Sequence, residues 1–188
     1  MLGLAGTSII VASGDGGVGG PDPDPKCTNF VAVFPSVCPY VTSVGSTSGI
    51  SPESASGFTS GGFSNVVSAP SYQQTAIAEY LTTIGNLNAG KFNRLGRGFP
   101  DVSVHGQDVL AVVSGRTGLV AGSEASVSVF ASIIALINDA LIANGKRSLG
   151  FLNPMLYSLM NENVFNDITS GTSVIVYVDK FSLTLFTR

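Results

Sequence analysis

Apolar residues along this chain come in short β-branched runs and longer helical blocks, separated by stretches rich in glycine, serine and proline. Residues 7–12 (TSIIVA) form the first run, which stops at a glycine cluster. That pattern predicts a buried parallel strand delivering the chain into a loop, residues 13–20. Residues 21–39 carry five prolines and both cysteines, which excludes a helix and predicts an irregular excursion. A strand follows over 40–45. From 46 to 64 serine, glycine and threonine dominate without periodicity, and the expectation is a long surface loop.

Residues 71–84 place Tyr72, Ala76, Ile77, Tyr80, Leu81 and Ile84 on one face at helical spacing, and Gly85 supplies the stop. Residues 101–104 and 109–113 read as strands, with a turn at 114–118 (SGRTG). Over 126–143 the apolar positions Val127, Val129, Phe130, Ile133, Ile134, Leu136 and Ile137 spread nearly all round a helix, which predicts a central, buried one. Serine, asparagine and aspartate interrupt it, so no membrane span is expected. Residues 154–160 suit a short helix with proline in its first turn. Beyond Gly171 the pattern becomes strand-like, 174–178 and 181–186 flanking Asp179 and Lys180 as a hairpin. Strands alternating with helices predict an α/β layer fold with a parallel sheet, and the length calls for one domain.

Composition narrows the partners. Only 11% of residues are charged, the net charge is -3, and the nine Lys and Arg are scattered from Lys26 to Arg188. No basic stripe exists to neutralise phosphates, which excludes nucleic acid as a partner. The first residues hold no basic group and too short an apolar run for a signal peptide or a span, and Met1 leads almost directly into the first strand. The expectation is a chain that begins inside a domain. Cys27 and Cys38 either close a short loop or remain two free thiols.

Several motifs carry candidate chemistry. Residues 14–19 (GDGGVG) satisfy the dinucleotide fingerprint and follow a strand, but GPDPDP comes next and cannot open the helix that holds a pyrophosphate. Asp15 sits among glycines at a strand end, where backbone approaches a ligand closely, and a turn role explains it equally well. His105 is the only histidine, and beside Gly106 it reads as a surface residue, so a Ser-His-Asp triad is not expected. Glu124 falls just before the long apolar helix, where negative charge is stabilised. Asp167 is a turn former or one oxygen ligand of a cation.

Taken together, SGDGGVGG (13–20), FPSVCPYVTSVGSTSG (34–49), SGGFSN (60–65), PSYQ (70–73), GRGFPDVSVHG (96–106), VFASIIALINDA (129–140), LGFLNPMLY (149–157) and FNDITSG (165–171) resemble, in order, segments of the sedolisin family of serine-carboxyl peptidases, most of all its fungal tripeptidyl-peptidase branch. The resemblance runs from about Leu4 to Gly171, which defines a partial peptidase domain over 1–171 and a divergent tail over 172–188. It implies a subtilisin-like parallel sheet flanked by helices, with the N-terminal part of the domain missing.

In that family a serine attacks the peptide carbonyl, a glutamate is its base, a second acid orients the glutamate, and an aspartate lines the oxyanion hole. An aspartate donating there must be protonated, which suits acidic surroundings. The resemblance gives Asp15 this last role. The serine belongs in a G-T-S-A-S-x-P segment, where this chain has Gly122, Ser123, Glu124, Ala125, Ser126, Val127 and Ser128. Glu124 therefore takes the nucleophile's place and Ser128 the proline's. The base and its partner acid lie upstream of Met1 in the family pattern. The resemblance also implies a Cys27–Cys38 disulfide, a peptide or protein substrate cleft and a secreted protein. Its calcium loop begins at the positions of Asp167 and Ile168, but the Gly-rich continuation is absent after Gly171, so a partial site and no bound calcium are expected.

Overall fold

The structure, a computed structural model, describes residues 1–20, 28–162 and 164–171. Its organising strand is β2 (Thr42–Ser48), which is paired on both edges. β1 (Ile10–Ala12) runs parallel to it with Ile10 opposite Thr42. β6 (Val102–His105) runs parallel with Val102 opposite Val44. The Ser13 and Ser56 amides donate to the Val44 and Ser46 carbonyls, while the Asp101 and Gly106 amides donate to Ser43 and Thr47. Successive residues of a strand face opposite edges, so β1 and the short antiparallel β3 (Ser54–Ala55) share one edge of β2 and β6 takes the other.

Two further antiparallel pairs stand beside this sheet. β4 (Gly62–Ser68) pairs with β5 (Gly96–Phe99), and β7 (Val109–Val113) forms a hairpin with β8 (Arg116–Val120). The expected turn after Val113 thus leads into a strand that local composition did not announce. Leu110, Val112 and Leu119 lie on one face of the hairpin and are exposed.

Among the described residues three helices complete the layers: α1 (Gln74–Ile84), preceded by a 3₁₀ turn at Ser71–Gln73, α2 (Ser123–Ala143) and α3 (Asn153–Ser158). α1 buries Ala76, Ile77 and Tyr80 against Phe63, Phe92 and Phe30, in line with its single apolar face. α2 and α3 set Phe130, Ile134, Leu152 and Leu156 against Val44 and Val102 of the sheet.

Three expectations need correction. Residues 46–64 are not a surface loop: β2 runs on to Ser48, β3 and the start of β4 follow, and Ser46, Thr47, Ser56, Thr59, Ser60 and Ser64 are buried. Their small polar side chains satisfy one another instead of forming an apolar stripe. Ser46 Oγ lies 3.2 Å from Ser56 Oγ, the Ser46 amide donates to Thr59 Oγ1 at 2.9 Å, and Thr47 Oγ1 donates to Glu53 at 2.6 Å. β1 is a half-buried edge strand rather than a buried one, because among the described residues only β2 flanks it.

The third correction concerns α2, which is not central. Only Ser123, Ser126, Phe130 and Ile134 are buried, while Leu136 is 71% exposed and Ile133 44%. By length and composition α2 is able to cross a membrane. Here it lies with one stripe on the sheet.

A dry polar knot fixes the corner between β5 and β6. Arg97 and Asp101 are both fully buried and form an ion pair at 2.5 Å. Asp101 also accepts the Ser43 amide at 2.7 Å, Gln73 Nε2 at 2.9 Å and the Tyr157 hydroxyl at 2.9 Å. Arg97 further donates to the Gly98 and Val41 carbonyls. Burial pushes the Asp101 carboxyl up from its usual range, and the Arg97 charge with these donors pulls against it. Burial likewise pushes the Tyr157 and Tyr80 hydroxyls up, and takes Tyr72 to about 12.

Candidate functional site

The parallel arrangement of β1, β2 and β6 delivers three chain segments to one end of the sheet, and the loop 13–20 and the start of α2 meet there. Ser60 and Thr59 hold the loop. The Ser60 amide donates to the Gly14 carbonyl at 2.7 Å, the Gly16 amide to Ser60 Oγ at 2.9 Å, and Ser13 Oγ lies 3.2 Å from Thr59 Oγ1. A side chain at Gly16 has no room, since its Cβ collides with the Gly20 carbonyl, so the loop folds tightly only with glycine there.

A reciprocal clasp joins the loop to α2. The Ser123 amide donates to Asp15 Oδ1 at 2.8 Å, and the Gly14 amide donates to Ser123 Oγ at 3.1 Å. Gly122 precedes the helix and brings no capping side chain. Asp15 therefore caps α2 from another element, satisfying one of the first-turn amides and meeting the positive end of the helix dipole. The turn role read from sequence becomes a cap.

Glu124 follows in the first turn of α2, and it faces Asp15. A Cβ on Gly122 would lie 2.8 Å from Glu124 Oε2 and 3.0 Å from Asp15 Oδ2, so the two carboxyl groups converge over one glycine. Both side chains are exposed. The serines on either side of Glu124 are buried and engaged with backbone: Ser123 Oγ accepts the Gly14 amide, and Ser126 Oγ donates to the Val104 carbonyl at 2.9 Å. Among the described residues neither has a base as partner. Ser128 Oγ donates to the Glu124 carbonyl one turn back. Gly106 lets this layer close, because a side chain there collides with Ser126 Oγ and Ser46 Oγ.

The arrangement thus offers two solvent-facing carboxyl groups at a helix N-terminus, a rigid glycine loop and buried hydroxyls already committed. Such a site accepts hydrogen bonds and protons. Among the described residues no hydroxyl of this site lies beside a base.

The other sequence-derived residues lie apart from this pair. Ile168 is buried, and Asp167 is half-buried beside it. Near them Asn166 donates to Glu53 at 3.4 Å, and the Ala55 amide donates to the Ser170 carbonyl at 2.9 Å. Among the described residues no three His, Cys, Asp or Glu side chains gather as a metal-holding group. A calcium ion needs about six oxygen ligands, and the residues after Gly171 lie outside the described residues. His105 is exposed at the end of β6. Cys38 is half-buried and forms no disulfide among the described residues; Cys27 lies outside them, as does the expected tail hairpin.

Thr59, Ser60 and Ser126 are the parts of the site that the sequence did not single out. For Thr59 and Ser60 the only local signal was a stretch dominated by serine, glycine and threonine, which solvent-exposed loops share, and Ser126 was read only as the first residue of a helix.

This is the loop-and-helix junction of a sedolisin-type domain, and the chain belongs to the sedolisin family. It is 44% identical over 176 residues to the probable tripeptidyl-peptidase SED3 of Arthroderma benhamiae, covering 92% of this chain and 30% of that protein. It is 40% identical over 216 residues to aorsin of Aspergillus oryzae, covering 96% of this chain and 33% of that protein. The fold matches Pseudomonas sedolisin, a serine-carboxyl proteinase solved with two molecules of pseudo-iodotyrostatin, at a TM-score of 0.74 and 23% identity, over 97% of this chain and 51% of that one. The chain spans about a third of the length of the curated relatives it matches. No family model matches it.

Proposed function

We propose that this chain is a secreted sedolisin-type domain, related to tripeptidyl-peptidases, that does not hydrolyse peptides. The observation that carries the reading is Glu124, a carboxyl side chain at the start of α2 where the family pattern has its serine. Acyl transfer needs a nucleophile activated by a base, and neither Ser123 nor Ser126 is free to substitute. Asp15 keeps the oxyanion position but has no tetrahedral intermediate to stabilise. In the family pattern the base glutamate and its orienting acid precede the residues that this chain matches.

A second reading is a pseudopeptidase that binds peptides or a protein partner without turnover. What favours it is the intact framework: the Gly14–Ser60 and Gly16–Ser60 hydrogen bonds and the Asp15–Ser123 clasp keep the glycine loop in place without a nucleophile. Calcium binding is weak or absent in both readings.

The test is hydrolysis of fluorogenic tripeptidyl substrates by the full chain from acidic to neutral pH, alongside Glu124→Ser. No turnover is expected from either protein. Turnover by Glu124→Ser with a trapped acyl-enzyme would overturn the assignment of the missing base. Saturable binding of a labelled peptide without cleavage, abolished by blocking the Asp15 and Glu124 face, selects the second reading. Calorimetric calcium binding with tight one-to-one stoichiometry contradicts the expectation of an incomplete ion site.

A further inference from the structure

Lys146 and Arg147 are the one adjacent pair among the nine basic residues of the sequence. They stand just past the end of α2. The Asn144 and Lys146 amides donate to the Leu141 carbonyl and the Gly145 amide to that of Ile142, and Gly145 takes a φ of 68°, so the helix is closed as the pair begins. The chain is tied down again directly afterwards. Ser148 Oγ donates to the Gly6 carbonyl at 2.8 Å, and the Leu149 amide donates to Asn138 Oδ1 at 2.9 Å. Between these anchors lies the peptide bond that joins Arg147 to Ser148. Among the described residues neither the Arg147 carbonyl nor the Ser148 amide takes a hydrogen bond, and both basic side chains are exposed and free of ion pairs.

The other basic residues that the structure describes are held differently. Arg97 is buried in its ion pair with Asp101. Arg94 donates from both terminal nitrogens, to the Gly85 carbonyl at 2.9 Å and the Leu81 carbonyl at 3.3 Å. The Lys91 carbonyl accepts the Phe30 amide at 2.8 Å. Arg116 is exposed, but its backbone lies in the β7–β8 ladder opposite Val113. Only at 146–147 do exposed cations coincide, among the described residues, with backbone outside any ladder or helix. A surface segment of this kind is where a protease gains access.

We infer that the peptide bond between Arg147 and Ser148 is a processing site for an endoproteinase whose adjacent pockets carry carboxylates and which therefore selects paired basic residues. Hydrolysis consumes one water: its hydroxyl bonds to the Arg147 carbonyl carbon, its hydrogen goes to the Ser148 nitrogen, and the bond between them breaks. The pieces, residues 1–147 and 148–188, stay together. Leu152 and Leu156 of the second pack against Phe130, Ile134, Val44 and Val102 of the first, while Asn153 and Tyr157 hydrogen-bond to Thr42 and Asp101. The product is a two-piece protein in which α2 is no longer joined covalently to α3. The inference rests on the reading of a secreted chain, because endoproteinases selective for basic pairs act along the secretory route. Cutting of purified protein does not depend on secretion, so failure there leaves the secreted reading standing.

The purified full chain is treated with a serine endoproteinase selective for paired basic residues, and in parallel with trypsin, which accepts any lysine or arginine. The selective enzyme should make one cut, with the fragment masses of 1–147 and 148–188, and the pieces should elute together on gel filtration. Trypsin should open the pair before it cuts after Lys91, Arg94, Arg97 or Arg116. Arg147→Gln, at an exposed position, should leave the thermal midpoint unchanged and slow the selective enzyme at least about tenfold. A native chain that stays whole under conditions that cut a free peptide of residues 144–150 overturns the inference. So does an Arg147→Gln chain cut as fast as its parent, an earlier tryptic cut at one of those four residues, or pieces that part on gel filtration.

Discussion

The corner between β5 and β6 and the outer flank of α2 invert the usual sorting of side chains. At the corner an arginine and an aspartate are fully buried, and on α2 leucine and isoleucine face water. Hydrophobicity alone predicts the reverse. What separates the regions is the supply of partners. Asp101 has the Arg97 guanidinium, the Ser43 amide, Gln73 and Tyr157 around it, so its desolvation is offset by charge and hydrogen bonds. Leu136 has no element of the described fold lying over it, and exposure is its only option.

The comparison breaks most completely at high pH. Tyr72, Tyr80 and Tyr157 lie in or near the buried corner and its neighbouring core, and burial raises all three hydroxyls above the ordinary value of 10.0. A group whose folded pKa is raised contributes stability below its unfolded pKa and loses it as pH climbs through the folded one. Stability should therefore fall from about pH 10 upward, and these tyrosines should ionise only as the fold opens, with Tyr72 first at about 12. Ultraviolet titration of a Tyr40→Phe, Tyr177→Phe chain, followed alongside circular dichroism, checks this, because Tyr40 is exposed and Tyr177 lies outside the described residues; tyrosinate formed early while that chain is fully folded refutes it.

Asp101→Asn keeps the shape of the corner but strands the Arg97 charge, and should cost about 3–5 kcal/mol. Urea unfolding of the two proteins measures it. α2 itself supplies the internal contrast: Phe130→Ala should cost about 3–5 kcal/mol because it empties the core, and Leu136→Ala should stay within about 0.5 kcal/mol in the isolated chain. Equal losses at both positions would mean that Leu136 is already covered. The clasp should show a smaller effect than the corner or the core. Asp15→Ala removes the acceptor of the Ser123 amide and should cost about 1 kcal/mol, whereas Asp15→Asn retains an oxygen there and should be nearly silent.

Much of this was written locally. The run at 7–12 stops where β1 ends, the spacing of Ala76, Ile77 and Tyr80 is the buried face of α1, and Gly85 closes that helix. The order of the motifs gave the family, and with it the positions of Asp15 and Glu124. The sequence could not give their meeting over Gly122, since more than a hundred residues separate them and only the parallel crossing of β1, β2 and β6 brings the loop to the helix.

Residues 46–64 mark the other limit. A run of serine, threonine and glycine carries no apolar period, so nothing local distinguishes side chains hydrated by water from side chains hydrated by one another. Tertiary structure made that choice when it placed Ser46 against Ser56 and Thr59 beneath the glycine loop. The chain likewise made α2 apolar nearly all round, because composition and spacing are properties of one helix. Which stripe is buried depends on what lies beside the helix, and burial is a property of the assembled fold.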